Sequence, residues 1–136
     1  KRVLTLGPPR DDEGAVHNEL ARIAMQRGMH DDARSHLRAA LAVEPLGPEI
    51  HANLGLLASL QGNPAAAVPS LRKALSLSPG NAAILIYLAG ALARTGGPGD
   101  HEEALMTARS AVEISPDNTL ARQLLEEISR RATTSK

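Results

Sequence analysis

Residues 51–79 read HANLGLLASLQGNPAAAVPSLRKALSLSP, two apolar stretches of helical period joined by Gln61-Gly62-Asn63-Pro64 and closed by a proline. Glycine ends a helix in the left-handed conformation at little cost, and Asn followed by Pro starts the next one. Pro79 cannot donate the following ladder bond, so the stretch predicts a helical hairpin that stops there. The same hairpin is written on both sides. Leu54, Gly62, Ala67, Ala74 and Pro79 have counterparts 34 residues earlier in Leu20, Gly28, Ala33, Ala40 and Pro45. Leu88 and Gly96 follow 34 residues later, whereas Ala104, Ala111 and Pro116 follow 37 residues later. An insertion of three residues between Gly96 and Ala104 explains the difference, and Gly97-Pro98-Gly99 fills that gap. A fixed period of this length marks units that stack into a solenoid.

The expected fold is all-α, with seven helices at about 14–28, 31–44, 48–61, 64–78, 81–96, 101–115 and 118–131. Ala21, Gly55 and Ala89 are small where the two helices of a hairpin must approach. Asn63 reads as an N-cap with Pro64 behind it, and Asp100 with Glu103 reads as a capping box. Pro45, Pro79 and Pro116 stop the second helices. Pro69 falls near the first turn of its helix, where most amides lack partners, and should be tolerated with a slight kink. The last helix sets Leu120, Ala121, Leu124, Leu125 and Ile128 against Arg122, Glu126, Glu127, Arg130 and Arg131, the pattern of a solvating cap. The first helix has no such cap.

Residues 1–13 form an N-terminal arm or linker, and 14–136 form the repeat domain. Its units run over about 14–47, 48–81 and 82–118, with a capping helix at 118–131 and a tail at 132–136. In the arm, Pro8-Pro9 breaks any regular element. Val3, Leu4 and Leu6 could pack on a groove or partly cover the first helix. Lys1 in place of an initiator Met and the final Thr-Thr-Ser-Lys read as cuts from a longer protein.

At 136 residues one continuous core can form, and fifteen basic and fifteen acidic residues cancel. Nothing global attracts nucleic acid or an anionic membrane, and no run reaches the length of a transmembrane helix. Without cysteine there is no thiol chemistry, and both cytoplasm and periplasm are compatible. Ser70, Ser76 and Ser78 have no histidine or acid at a meaningful spacing. No catalytic group, metal site or cofactor is expected.

The order of stations in each unit resembles the tetratricopeptide repeat family, whose repeat carries tryptophan, leucine with a small residue, a bulky residue, glycine, alanine, an aromatic, alanine and proline. The first unit supplies His17, Leu20-Ala21, Ala24, Gly28, Ala33, Leu37, Ala40 and Pro45. The second supplies His51, Leu54-Gly55, Ala58, Gly62, Ala67, Leu71, Ala74 and Pro79. The third supplies Leu85, Leu88-Ala89, Leu92, Gly96, Ala104, Ala108, Ala111 and Pro116. The departure is the lack of Trp and Phe, with Tyr87 the only tyrosine, which makes the core leaner.

The resemblance implies a right-handed α-solenoid and a non-enzymatic scaffold that binds a protein or peptide segment in its concave groove. Carried over by position, groove residues are Ala15, Asn18, Arg22, Met25 and Gln26 from the first unit. Glu49, Ala52, Leu56, Ser59 and Leu60 come from the second, and Ala83, Ile86, Gly90, Ala93 and Arg94 from the third. Asn53 stands where the family often holds a peptide backbone by an amide. Asn18 and Arg22 make a polar entrance, and Leu56, Leu60 and Ile86 an apolar floor. The family's carboxylate clamp is not matched: Asn18, Arg22, Ala83 and Tyr87 replace its expected residues, and only Asn53 fits. The alternatives are self-association through Leu56, Leu60 and Ile86, giving a homo-oligomer, or an adaptor attached to an enzyme domain elsewhere.

His17 and His51 occupy the tryptophan station, and packing between helices explains them better than metal binding. Arg38, Arg72 and Arg109 should form a basic row on the convex face, solvated or facing an acidic partner. The glycine insertion reads as a lengthened turn that could touch a partner.

Overall fold

The computed structural model describes residues 13–134, the last three by their backbone alone. The arm reading of Val3, Leu4 and Leu6 lies outside these residues, while Glu13 belongs to the first helix. The elements are α1 (Glu13–Gln26), α2 (His30–Val43), α3 (Pro48–Leu60), α4 (Pro64–Leu77), α5 (Ala82–Thr95), α6 (Asp100–Ile114) and α7 (Thr119–Thr134). All regular structure among the described residues is helical, an all-α repeat solenoid.

The turns follow the reading of the sequence. Gly28, Gly62 and Gly96 have φ of 74°, 78° and 73°, the left-handed region that other residues enter at a cost. Asn63 caps α4, its side-chain oxygen accepting from the Ala66 amide at 3.2 Å. Asn81 and Asn118 do the same for α5 and α7, accepting from Ile84 at 3.2 Å and from Ala121 at 3.0 Å. Pro45, Pro79 and Pro116 each follow a C-cap residue.

One local expectation fails, and a second, the tolerance of Pro69, holds for another reason than the one expected. The capping box at Asp100 and Glu103 does not form, because Gly99, with φ of 81°, takes the N-cap position and Asp100 starts the helix. Its carboxylate turns back to accept from the Gly97 amide at 3.0 Å and from the Thr95 hydroxyl. Glu103 instead meets Arg72 of α4 at 2.7 Å. Pro69 lies in the second turn of α4, beyond the amides that lack partners anyway. The helix continues because Pro69 and Ala65 are both exposed, so water reaches the carbonyl that proline leaves without a donor.

Each helix packs on its predecessor, and α1–α3, α3–α5 and α5–α7 also touch, whereas α2, α4 and α6 do not touch one another. The odd helices therefore line the inside of the curve. The core between the layers is built from alanine. Ala21, Ala33, Ala40, Ala67, Ala74, Ala89, Ala104, Ala108 and Ala111 are fully buried, and Leu37, Leu71, Ile84, Leu92 and Ile128 are the largest fully buried side chains. Leu37 and Leu71 fill the station of the missing aromatic ring. The histidines at the tryptophan station are half-buried between helices. His17 has its Nδ1 3.2 Å from that of His36, and the ring of His51 bonds the Pro45 carbonyl at 2.9 Å.

Gly55 shows how tight the hairpin is. A Cβ placed there would lie 2.5 Å from Cγ of Leu71 and 3.2 Å from the Ala67 carbonyl oxygen. At Gly90 an added Cβ would meet no heavy atom within 4 Å. Gly55→Ala is expected to lower the unfolding free energy by about 1–2 kcal/mol, overlap outweighing the gain in helix propensity. Gly90→Ala should raise it by about 1 kcal/mol, and urea denaturation of the two variants measures the contrast.

Candidate functional site: the concave groove

The inner surface is made by α1, α3, α5 and α7, and it carries two adjoining hollows. One, of about 370 Å³, is lined by Arg22, Met25, Gln26, Asn53, Leu56, Leu60 and Tyr87. The other, of about 320 Å³, is lined by Leu56, Ser59, Ile86, Tyr87, Gly90, Ala91, Arg94, Leu120, Gln123, Leu124 and Glu127. Leu56 and Tyr87 border both, so they form the ridge between two compartments of one groove. Gly90 leaves the floor of the second compartment open, since its neighbours do not close over the missing side chain. Leu60 and Leu120 are exposed at 51% and 65%, holding apolar surface at the groove rather than in the core.

The structure brings Arg22, Met25, Asn53, Leu56, Leu60, Ile86, Gly90 and Arg94 together on this surface. Other expected groove residues behave differently: Ala15, Ala83 and Ala93 border neither hollow, and Ala93 packs against the core. Ala52 is buried in the core, packed in one cluster with Ala67, Ile84 and Leu88, because its side of α3 turns inward. Glu49 is exposed and borders neither hollow. Asn18 lines neither hollow and serves Asn53 instead, whose Nδ2 donates to its Oδ1 at 2.7 Å. Asn53 is 6% exposed, so this bond satisfies a buried amide and commits one of its donors within the protein.

Arg22 is held by Glu19, its Nε and Nη2 donating to the two carboxylate oxygens at 3.2 and 2.9 Å. That hydrogen bond holds the Glu19 carboxyl below its ordinary value and raises the Arg22 guanidinium. Both groups are in water, so a ligand can exchange partners with them at small cost.

Tyr87, Leu120, Gln123, Leu124 and Glu127 are groove residues that the family positions did not supply. The signal was present for all five, since Tyr87 stands 34 residues after Asn53. Leu120, Gln123, Leu124 and Glu127 lie 37 residues after Ala83, Ile86, Tyr87 and Gly90, the offset that the insertion creates. Thus α7 stands where the period sets the first helix of a unit, its inner side lining the groove while its outer side keeps the polar pattern of a cap. Arg131 pairs with Glu127 of the same helix at 2.7 Å and reaches the Ala93 carbonyl of α5 at 3.4 Å. Among the described residues no three His, Asp or Glu side chains cluster as metal ligands, and no helix is long and apolar enough to cross a membrane.

Residues 18–82 and 59–119 match the tetratricopeptide repeat family. None of the curated proteins matches the chain. PilF of Pseudomonas aeruginosa has a similar structure, with 26% identity and a TM-score of 0.81 over 90% of this chain and 55% of that one. The second TPR domain of human RPAP3, in complex with the HSP70 peptide SGPTIEEVD, gives 14% identity and a TM-score of 0.76, covering 86% and 95%. The Yersinia enterocolitica type III secretion chaperone SycD, in complex with a peptide of the translocator YopD, gives 18% and 0.76, covering 90% and 97%. The likeness to the last two establishes a shared fold.

Asn53→Ala removes the buried bond to Asn18. It is expected to lower stability by about 1 kcal/mol, a loss that thermal or urea unfolding can measure.

Proposed function

The chain belongs to the tetratricopeptide repeat family, and from that premise we propose that it is a non-catalytic scaffold binding a peptide segment along the groove of α1, α3, α5 and α7. The observation that carries this reading is the open apolar hollow over Gly90, walled by Leu56, Ile86, Leu120 and Leu124. Apolar surface left open in a concave site gains free energy when an apolar side chain covers it. The RPAP3 and SycD domains, which share the fold, are both solved with peptides, and this supports a peptide as the ligand class here.

The two compartments favour a segment with two anchors. One aliphatic side chain enters over Gly90, and the second crosses the Leu56–Tyr87 ridge to rest on Met25 and Leu60. Arg22 and Gln26 at one end, and Arg94, Gln123 and Glu127 at the other, lie along the path of the peptide's polar groups. Charges of both signs at one end disfavour a ligand recognised only by its acidic C-terminus. Specificity on this reading comes from the spacing of the anchors, with the polar rim setting direction.

A displayed random-peptide library selected on the whole chain should enrich sequences with two aliphatic positions at a constant spacing. Binding of the consensus peptide, read by fluorescence anisotropy, should weaken by at least about tenfold in Gly90→Leu, which fills the hollow, and in Leu56→Glu, which charges the ridge. Both variants should keep the helical circular-dichroism signal. Unchanged affinity in both folded variants would remove the groove as the site.

A further inference from the structure

The outer face of α1 is apolar and bare where the same face of later units is covered. Val16, Leu20 and Ile23 are 50%, 40% and 37% exposed. Their counterparts on α3 are Ile50 at 3%, Leu54, half-buried, and Leu57 at 2%. On α5 they are Ile84, Leu88 and Ala91, at 1%, 2% and 2%. The difference has a plain cause: α2 packs on α3 and α4 packs on α5, whereas no described helix precedes α1.

The stripe has ends of opposite charge. Glu13, Val16, Leu20, Ile23 and Arg27 follow one another at steps of 3, 4, 3 and 4 residues, which keeps them on one side of the helix. Arg27 continues the helical turn, its amide bonding the Ile23 carbonyl at 3.2 Å. The other end of the solenoid is unlike this one. Leu85, Ala89 and Leu92 of α5 are buried beneath α6, but 37 residues on, α7 has exposed Arg122, Glu126 and Ser129. A head-to-tail stack would set those polar groups against Val16, Leu20 and Ile23, which offer them no hydrogen-bond partner.

We propose that this face is covered by a second copy of the chain, the two α1 helices lying antiparallel about a two-fold axis near Leu20. In that arrangement Val16 of one copy meets Ile23 of the other, Leu20 meets Leu20, and Glu13 faces Arg27 at both ends. The interface is isologous, so it closes at a dimer. It is one helix pair wide, at the small end of specific interfaces, below about 1,200 Å², and so gives a weak dimer that forms as concentration rises. It leaves the concave groove of each copy free and does not depend on the peptide-binding reading.

Sedimentation velocity of the whole chain at rising concentration tests it. The expected result is a monomer that passes to a dimer, with Leu20→Glu weakening association by at least about tenfold because like charges meet at the axis. Arg27→Glu should weaken it several-fold, and adding Glu13→Arg should restore it. Neither charge reversal touches the core, so this pair decides the matter if Leu20→Glu does not fold. A monomer at every concentration overturns the proposal, including one whose Leu20→Cys thiol is slow to alkylate because the chain's own first residues cover it. So does a dimer that ignores these changes but is dissolved by Gly90→Leu, which would place the contact in the groove.

Discussion

The approach of two helices to the distance that only alanine and glycine allow is the constraint on which the rest of this structure depends. With almost no aromatic side chains, the chain cannot fill wide gaps between helices, so it closes them. Gly55 lies against Leu71 and the Ala67 carbonyl so closely that a methyl group has no room. Fully buried alanines recur on both layers at the positions where helices cross. Dispersion contacts between backbones and short side chains replace the large interdigitating side chains of an ordinary core, and a packed interior tolerates no void in compensation.

That close packing also builds the groove. Because α1, α3, α5 and α7 touch in sequence while the even helices stay apart, the layers curve and the odd helices form a continuous inner wall. The insertion before α6 does not disturb this wall. Gly96 and Gly99 turn through the left-handed region, and the Asp100 carboxylate ties the loop back to Gly97 and Thr95. The extra residues are thus absorbed within the turn, and α7 reaches the position that the period assigns to it. The groove gains its last wall from an element whose place is set by the repeat.

The helices, their turns and their stops were legible because each depends on chemistry within a few residues. Glycine at positive φ, asparagine at an N-cap and proline after a C-cap act locally and recur with the period. Where the reading failed, the deciding contact was with something outside the local pattern. Asp100 looks like a cap, but flanking glycines free the backbone for a different turn, and Glu103 finds Arg72 on another helix. Ala52 and Asn53 show the same limit within the site. Their place along α3 is correct, but curvature turns Ala52 into the core and sets Asn53 against Asn18. Leu120 and Leu124 were readable as apolar, and only the 37-residue offset carried through to α7 identifies them as groove wall.

The two ends of the solenoid differ in kind, and the difference separates the two surfaces this protein presents. On α7 the face that would receive a further helix is polar, so the stack can end in water there. On α1 the face that receives a preceding helix keeps the Val16, Leu20 and Ile23 of an interior unit. A sequence that needed only to solvate both ends would place charge at both. The groove lies on a third side, normal to the stacking direction, where Leu56, Tyr87 and Gly90 belong to helices already covered on their packing faces. Because each first helix gives one face to its neighbours and another to the groove, covering the end of α1 leaves the groove's lining unchanged. On the two proposals, assembly and ligand binding therefore answer to separate substitutions on the same helix layer.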